Sequence, residues 1–301
     1  MRGVLTLAGE GTRMLPWTRG LRKEFLPLYD RGTDDVPVLK PVAHLALETL
    51  VDAGVSDVTL VVGAKDLAFV QGYFSVDSDF LDRHAHHSER LRETERFYDT
   101  LRKLRLRFAV QSAARGFGDA VLQAQPFVEE HPFLLHAADA LLLEPHRGAL
   151  PARMGRLLVR EHLDAVLLVR PVPNPTRYGV VEGIPDGRFE GTRRLKVTGM
   201  EEKPAHPRSK WAATAIYAFS PRLFGALRTV ERRDHPKELE VTDAIRELLA
   251  EGRPVAALVL TGAAGEWRSV GSPEGFARAL RRTETRVRRG ARARRPRRVR
   301  R

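Results

Sequence analysis

The sequence predicts an α/β protein whose core is a parallel β-sheet flanked by helices. Apolar runs of strand length alternate with helical patterns through its first half. The first of those runs empties into a glycine turn, Gly9-Glu10-Gly11, the place where such sheets bind ligands. With 301 residues, 43% of them hydrophobic, the chain is long enough to fill the core of one large domain carrying a smaller portion.

The elements follow in order. Short apolar runs at 3–8, 58–62, 107–111, 133–136 and 165–169 read as buried strands. Between the first two, residues 42–53 carry apolar side chains at helical spacing and stop at Gly54, a helix C-terminal signal. Leu91, Phe97, Tyr98, Leu101 and Leu104 recur at three- and four-residue steps, so 79–103 reads as one or two amphipathic helices inserted into the alternation. After Pro171 the pattern changes to shorter β segments at 178–183, 189–200 and 212–219, an α+β portion built onto the first sheet. A helix at 241–250, a strand at 255–260 and a helix at 273–281 finish the body. The expected division is a body of 1–280, with 1–170 and 171–280 as its two portions, and a disordered tail at 281–301 with no apolar period. There is no internal repeat.

No apolar run approaches the eighteen or so residues that span a bilayer, and the amino end reads as a buried strand, so a soluble, cytoplasmic protein without a transmembrane segment is expected. The absence of cysteine excludes disulfides, thiolate metal sites and cysteine nucleophiles. The net charge of +13 is concentrated at one end. Residues 281–301 hold twelve arginines and one acid, which leaves only +2 on the remainder. That tail suits a solvated extension with no partner, and it also suits nonspecific binding of a polyanion through counterion release.

Glycines directly after a parallel strand let backbone N–H groups approach a phosphate closely. The loop that follows carries Arg13, Arg19, Arg22 and Lys23 between Pro16 and Pro27. Four cations and a glycine turn suit a polyphosphate, and they equally fit a strand-exit turn with a solvated basic loop. The third glycine of a dinucleotide fingerprint and the Gly-Lys-Ser/Thr of a P-loop are both missing.

The run Leu7-Ala8-Gly9-Glu10-Gly11-Thr12-Arg13-Met14-Leu15-Pro16, with Lys23-Glu24-Phe25-Leu26-Pro27 after it, closely resembles the signature of the sugar-1-phosphate nucleotidylyltransferases. The resemblance continues in order through Gln111 to Val121, Asp139, Tyr178-Gly179-Val180-Val181, Glu201-Glu202-Lys203-Pro204, Glu238 to Ile245 and Trp267 to Glu274. Gly116-Phe117-Gly118-Asp119-Ala120-Val121 and the inserted helices look most like the UTP:glucose-1-phosphate uridylyltransferase branch. Glu238 to Asp243 and Gly271-Ser272-Pro273-Glu274 also resemble the thymidylyltransferase branch.

The resemblance implies a Rossmann-like three-layer α/β/α nucleotidyltransferase fold with a smaller β-rich sugar-binding portion. It implies Mg2+-dependent transfer from UTP, or dTTP, to glucose 1-phosphate, in a homo-oligomer. By similarity, Ala8, Gly9, Glu10, Gly11 and Thr12 hold base and phosphates, and Arg13 and Lys23 bind the triphosphate. Gln111 reads the pyrimidine edge, and Gly116 lets the backbone approach the base. Asp139 ligates Mg2+, Gly179 and Glu202 face the sugar, and Lys203 binds the sugar phosphate.

Two positions depart from the family. Ser269 stands where the second metal-binding aspartate is usual, and Ala215 where many relatives have glycine. Ser269 leaves open a degenerate homologue that binds a nucleotide sugar or a partner without turnover. His84, His86 and His87 lack the spacing of a metal site and read as an exposed face.

Overall fold

The computed structural model describes residues 1–33, 36–234 and 238–293. Strand β1 (Arg2–Leu7) leads through a loop of short 3-10 turns into β2 (Pro27–Arg31) and β3 (Pro37–Pro41), which pair antiparallel. Then come α1 (Val42–Asp52), β4 (Asp57–Gly63), α2 (Leu67–Tyr73), α3 (Ser78–Arg83), α4 (Ser88–Lys103), β5 (Arg105–Gln111), α5 (Phe117–Gln123), α6 (Gln125–Val128) and β6 (Phe133–Ala137). The chain continues with β7 (Ala140–Leu143), α7 (Ala149–Arg160), β8 (Ala165–Pro171), β9 (Gly179–Phe189), β10 (Thr192–Glu202) and β11 (Trp211–Phe219). It closes with α8 (Arg222–Asp234), α9 (Val241–Ala250), β12 (Val255–Val259), β13 (Glu266–Ser269) and α10 (Pro273–Ala293).

Among the described residues, nine strands form one sheet in the order β5-β4-β1-β6-β11-β8-β12-β10-β9, and β7 pairs with β13 beside it. Alternation along β1 sends Val4 into one core and Leu5 into the other. The first core is closed by α5, α8 and α9, the second by α1, α4 and α7, which makes three layers. None of the helices among the described residues is long and apolar enough to cross a membrane.

The expected parallel sheet holds for β5, β4, β1 and β6 and for β8 with β12. Between these two blocks β11 runs antiparallel to both neighbours, β6 and β8. The sheet is therefore mixed, because an apolar run reports burial on both faces and says nothing of strand direction. Since β11 and β12 lie inside the sheet, the 171–280 portion is woven into the first and not merely added to it.

The expected disordered tail is corrected over its first half. Helix α10 continues to Ala293, with Ala279, Thr283 and Val287 buried at four-residue steps. Arg282 pairs with Glu266, and Arg286 donates to the Glu144 carbonyl. The apolar stripe is only one small residue per turn, which is why arginine hides it in the sequence. Residues 294–301 lie outside the described residues.

Candidate active site

Two cavities open along the carboxyl ends of β1, β5, β6 and β8. The first, about 450 Å3, is lined by Ala8 to Thr12, Lys23, Gln111 and Gly116. The second, about 560 Å3, is lined by Arg13, Arg170, Gly179, Glu202, Tyr217 and Trp267, among others. Asp139, Phe117 and Ala215 line both, so the two chambers meet at the Asp139 carboxylate.

The floor of the first chamber is the loop after β1. Gly11 has φ 68°, and a Cβ there would stand 2.9 Å from the Thr18 methyl, so the turn requires glycine. Thr18 Oγ1 ties the turn down by donating to the Gly11 carbonyl at 3.0 Å. Of the four cations expected to serve a polyphosphate, only Arg13 and Lys23 line the chambers. Arg22 is buried, donating to the Leu7 carbonyl and pairing with Asp66 at 3.2 Å, so it fastens the loop to the end of β1. Arg19 is exposed outside both chambers.

Lys23 Nζ donates to Asp139 Oδ2 at 2.6 Å and lies 3.7 Å from the buried Glu24. Burial works against both charges of the pair. Even so, Lys23 and Arg13 hold the Asp139 carboxyl below its usual range, and Asp139 with Glu24 holds Lys23 above its own. Burial pushes Glu24 up to about 7 against the pull of Lys23 and Arg22.

Asp139 occupies the turn between β6 and β7. Pairing of β13 with β7 sets Ser269 opposite Ala140, and the Val270 N–H donates to the Asp139 carbonyl at 3.0 Å. A Cβ at Gly271 would lie 3.1 Å from Arg13 Nη2, 3.1 Å from Asp139 Oδ2 and 3.2 Å from Ser269 Oγ. Three groups far apart in sequence thus converge over one bare glycine.

Gln111 ends β5 in the wall of the first chamber, 5% exposed, its Nε2 donating to the Gly116 carbonyl at 3.1 Å and to Asp119 Oδ2 at 2.7 Å. Gly116 has φ 102°, and a Cβ there would stand 2.4 Å from the Leu239 carbonyl oxygen. Packing against Leu239 therefore already demands glycine at this position.

In the second chamber, Glu202 accepts from Thr242 Oγ1 at 2.8 Å and from Lys203 Nζ at 3.1 Å. Gly179 faces it, a Cβ there lying 3.1 Å from Glu202 Oε2. Glu240 lines the same wall, and burial together with Glu202 pushes it up to about 7. Lys203 is largely exposed and outside the lining, with φ 42°. Sequence reasoning missed Arg170, Arg177 and Arg278, which line this chamber and, like Arg13, have no ion-pair partner among the described residues. Arg177 directly precedes Tyr178-Gly179, the one signal that pointed to it; Arg170 also lies 5.6 Å over the Trp267 ring and donates to its carbonyl.

This arrangement matches a known family over almost the whole chain. The nucleotidyl transferase family matches residues 2–286. The chain belongs to that family. A UTP--glucose-1-phosphate uridylyltransferase of Mycoplasma pneumoniae is 29% identical over 286 residues, covering 92% of this chain and 90% of the relative. A glucose-1-phosphate thymidylyltransferase of Streptomyces griseus is 28% identical over 274 residues, 90% of this chain but 63% of the relative. The solved structure of a UDP-glucose pyrophosphorylase complexed with UDP-glucose superposes with a TM-score of 0.76 at 23% identity, covering 95% of this chain and 98% of that one, which supports the same fold.

The metal expected of this nucleotidyltransferase has few donors. Among the described residues there is no group of three or more acidic or histidine side chains that would hold an ion. Asp139 offers one carboxylate, already engaged by Lys23, and Ser269 offers a hydroxyl. Mg2+ is commonly held by one or two carboxylates and by substrate phosphates. The donor set therefore fits an ion that arrives on a triphosphate and not one held by the protein alone. Of the three histidines expected on an exposed face, His86 is exposed, His84 is half-buried with its Nδ1 2.8 Å from the Phe80 carbonyl oxygen, and the side chain of His87 lies outside the described residues.

Proposed function

We propose that this nucleotidyltransferase transfers a uridylyl group from UTP to glucose 1-phosphate, giving UDP-glucose and pyrophosphate. The observation that carries the reading is the meeting of two chambers at Asp139. One is floored by the glycine turn and the other walled by Glu202 and unpaired arginines, so a triphosphate and a sugar phosphate would face each other there. An oxygen of the sugar phosphate attacks the α-phosphorus, the bond to the bridging oxygen breaks, and pyrophosphate carries the electron pair away.

In this reading the Ala8 to Gly11 backbone, with Glu10 and Thr12 beside it, holds base and phosphates. Arg13 and Lys23 neutralise the triphosphate and the charge growing on the leaving group. Bound Mg2+, held by Asp139, would supply further charge neutralisation. Glu202 and the Gly179 backbone accept and donate to sugar hydroxyls. Arg170, Arg177 and Arg278, with Lys203 once it turns from Glu202, bind the sugar phosphate. A cytoplasmic location, where nucleoside triphosphates are kept, and a homo-oligomeric state belong to the same reading.

The thymidylyl reaction is the second reading, favoured by the Streptomyces griseus relative. A binding protein without turnover is the third, favoured by Ser269. Pyrophosphate release measured across UTP, dTTP, CTP, ATP and GTP, each with glucose, galactose and N-acetylglucosamine 1-phosphates, separates all three. UTP with glucose 1-phosphate is expected to be fastest, and no release from any pair would sink the catalytic readings.

A further inference from the structure

Gln111 cannot choose which end of its amide faces the first chamber. Both partners of its Nε2, the Gly116 carbonyl and the Asp119 carboxylate, are acceptors only. Rotating the amide by half a turn would set its oxygen against two other oxygens and forfeit both hydrogen bonds inside a buried site. The Asp119 carboxylate is itself fixed: it is 1% exposed and receives Arg115 Nη2 at 2.6 Å, with the Gln123 amide 3.5 Å away. The loop between them is fastened to the segment before α9, Leu239 N–H donating to the Arg115 carbonyl at 2.8 Å and Gly118 N–H to the Leu239 carbonyl at 2.7 Å. Gln111 Oε1 has no hydrogen-bond partner among the described residues, which leaves it as the free end of the amide in the chamber wall.

We propose that Asp119, through Gln111, sets the choice of base: it turns Gln111 into a fixed acceptor, so the chamber takes a base with an N–H at its Watson–Crick ring nitrogen. Uracil and thymine carry that donor at N3. Cytosine presents a lone pair there, which would meet the Oε1 lone pairs. Asp119 is buried behind Gln111 and does not line the chamber, so it is a positioning residue. The inference rests on the nucleotide reading of this chamber and adds to it the device that excludes CTP.

The test is equilibrium binding of UTP and CTP to the full chain, wild type and variants, with thermal melting alongside. A site with a fixed acceptor rejects the base lacking the donor steeply, so wild type should favour UTP by about a hundredfold or more. Asp119→Ala frees the amide on one side, and the ratio should fall by about tenfold, with CTP binding more tightly than to wild type. Asp119→Asn keeps the volume and offers the Gln111 amide either an oxygen or an N–H, so it serves if the alanine variant fails to fold. Its ratio should fall by about fivefold. A purely structural role would weaken both nucleotides equally and lower the melting temperature with the ratio unchanged, which would overturn the proposal. Equal binding of UTP and CTP by wild type would overturn it too, while leaving a nucleotide chamber in place. Binding of neither nucleotide by wild type would remove the nucleotide reading itself, and the proposal with it.

Discussion

Arg13 and Ser269 both come close to where a Cβ at Gly271 would stand, and their roles separate by experiment. If Arg13 meets charge that grows on the departing pyrophosphate, Arg13→Ala should lower kcat by roughly a hundredfold, the usual size for one lost transition-state donor. A change confined to KM would instead make it a ground-state contact. Ser269→Asp puts a second carboxylate near Asp139 Oδ2, so divalent-ion affinity of the free protein, read with Mn2+ by electron paramagnetic resonance, should rise by about tenfold or more. No gain would place Ser269 outside the ion's reach. Ala215 makes its own case. It holds φ 58° within β11, between Ala213 and Tyr217 where the pairing with β8 shifts register. A left-handed alanine is strained by about 1 kcal/mol, so Ala215→Gly should leave stability equal or slightly higher despite the freer unfolded chain. The sequence marked this residue only as an alanine where many relatives have glycine; its backbone angle, at a break in strand register, has no sequence signature.

Helix α7 illustrates what an element requires from elsewhere. Its first turn is capped by the buried Glu144, which accepts from the Gly148 and Leu150 N–H groups at 2.9 and 2.7 Å. Burial nevertheless pushes that carboxyl up to about 7. The folded state therefore binds a proton more tightly than the unfolded chain. The resulting stability is fully present below about pH 4.5 and is lost as pH rises through 7, a swing of at most about 3 kcal/mol. Glu144→Gln should flatten the fall in urea-unfolding free energy between pH 5 and 7.5 relative to wild type, and an unchanged slope would contradict the burial argument. The sequence made β1, β4, β5, β6 and β8 legible because each is an apolar run between turn residues. It hid α7 and α8, whose arginines and small residues blur the apolar face, and the β7–β13 pair, which joins segments more than a hundred residues apart. The site was legible to a similar degree. Arg13, Lys23, Asp139, Gln111 and Glu202 line the chambers as the motifs implied, whereas Arg170, Arg177 and Arg278 come from a strand, a loop and a helix that only folding brings together.

For the molecule as a whole, the end of the chain up to Ala293 packs into the fold, and residues 294–301 lie outside the described residues. Truncation after Leu280 removes the buried Thr283 and Val287 and Arg282, one of two arginines paired with Glu266, so it should lower the melting temperature by roughly 10 °C. Truncation after Ala293 deletes only six of the arginines. It should leave melting and kcat within experimental scatter while heparin affinity and its salt dependence decline; equal melting loss in both truncations would refute the division. The antiparallel strand at the centre of the sheet has a further consequence, one that concerns synthesis. Strand β6 is complete at Ala137, yet its second neighbour, β11, is not made until Phe219. At ordinary translation speeds that gap lasts roughly 4–16 seconds. Throughout it the nascent chain presents an apolar strand with one open edge, the template on which chains aggregate. A ribosome that stops between those two points releases a sticky half-sheet, so fragment 1–210 should require a chaperone to remain in solution where 1–293 does not.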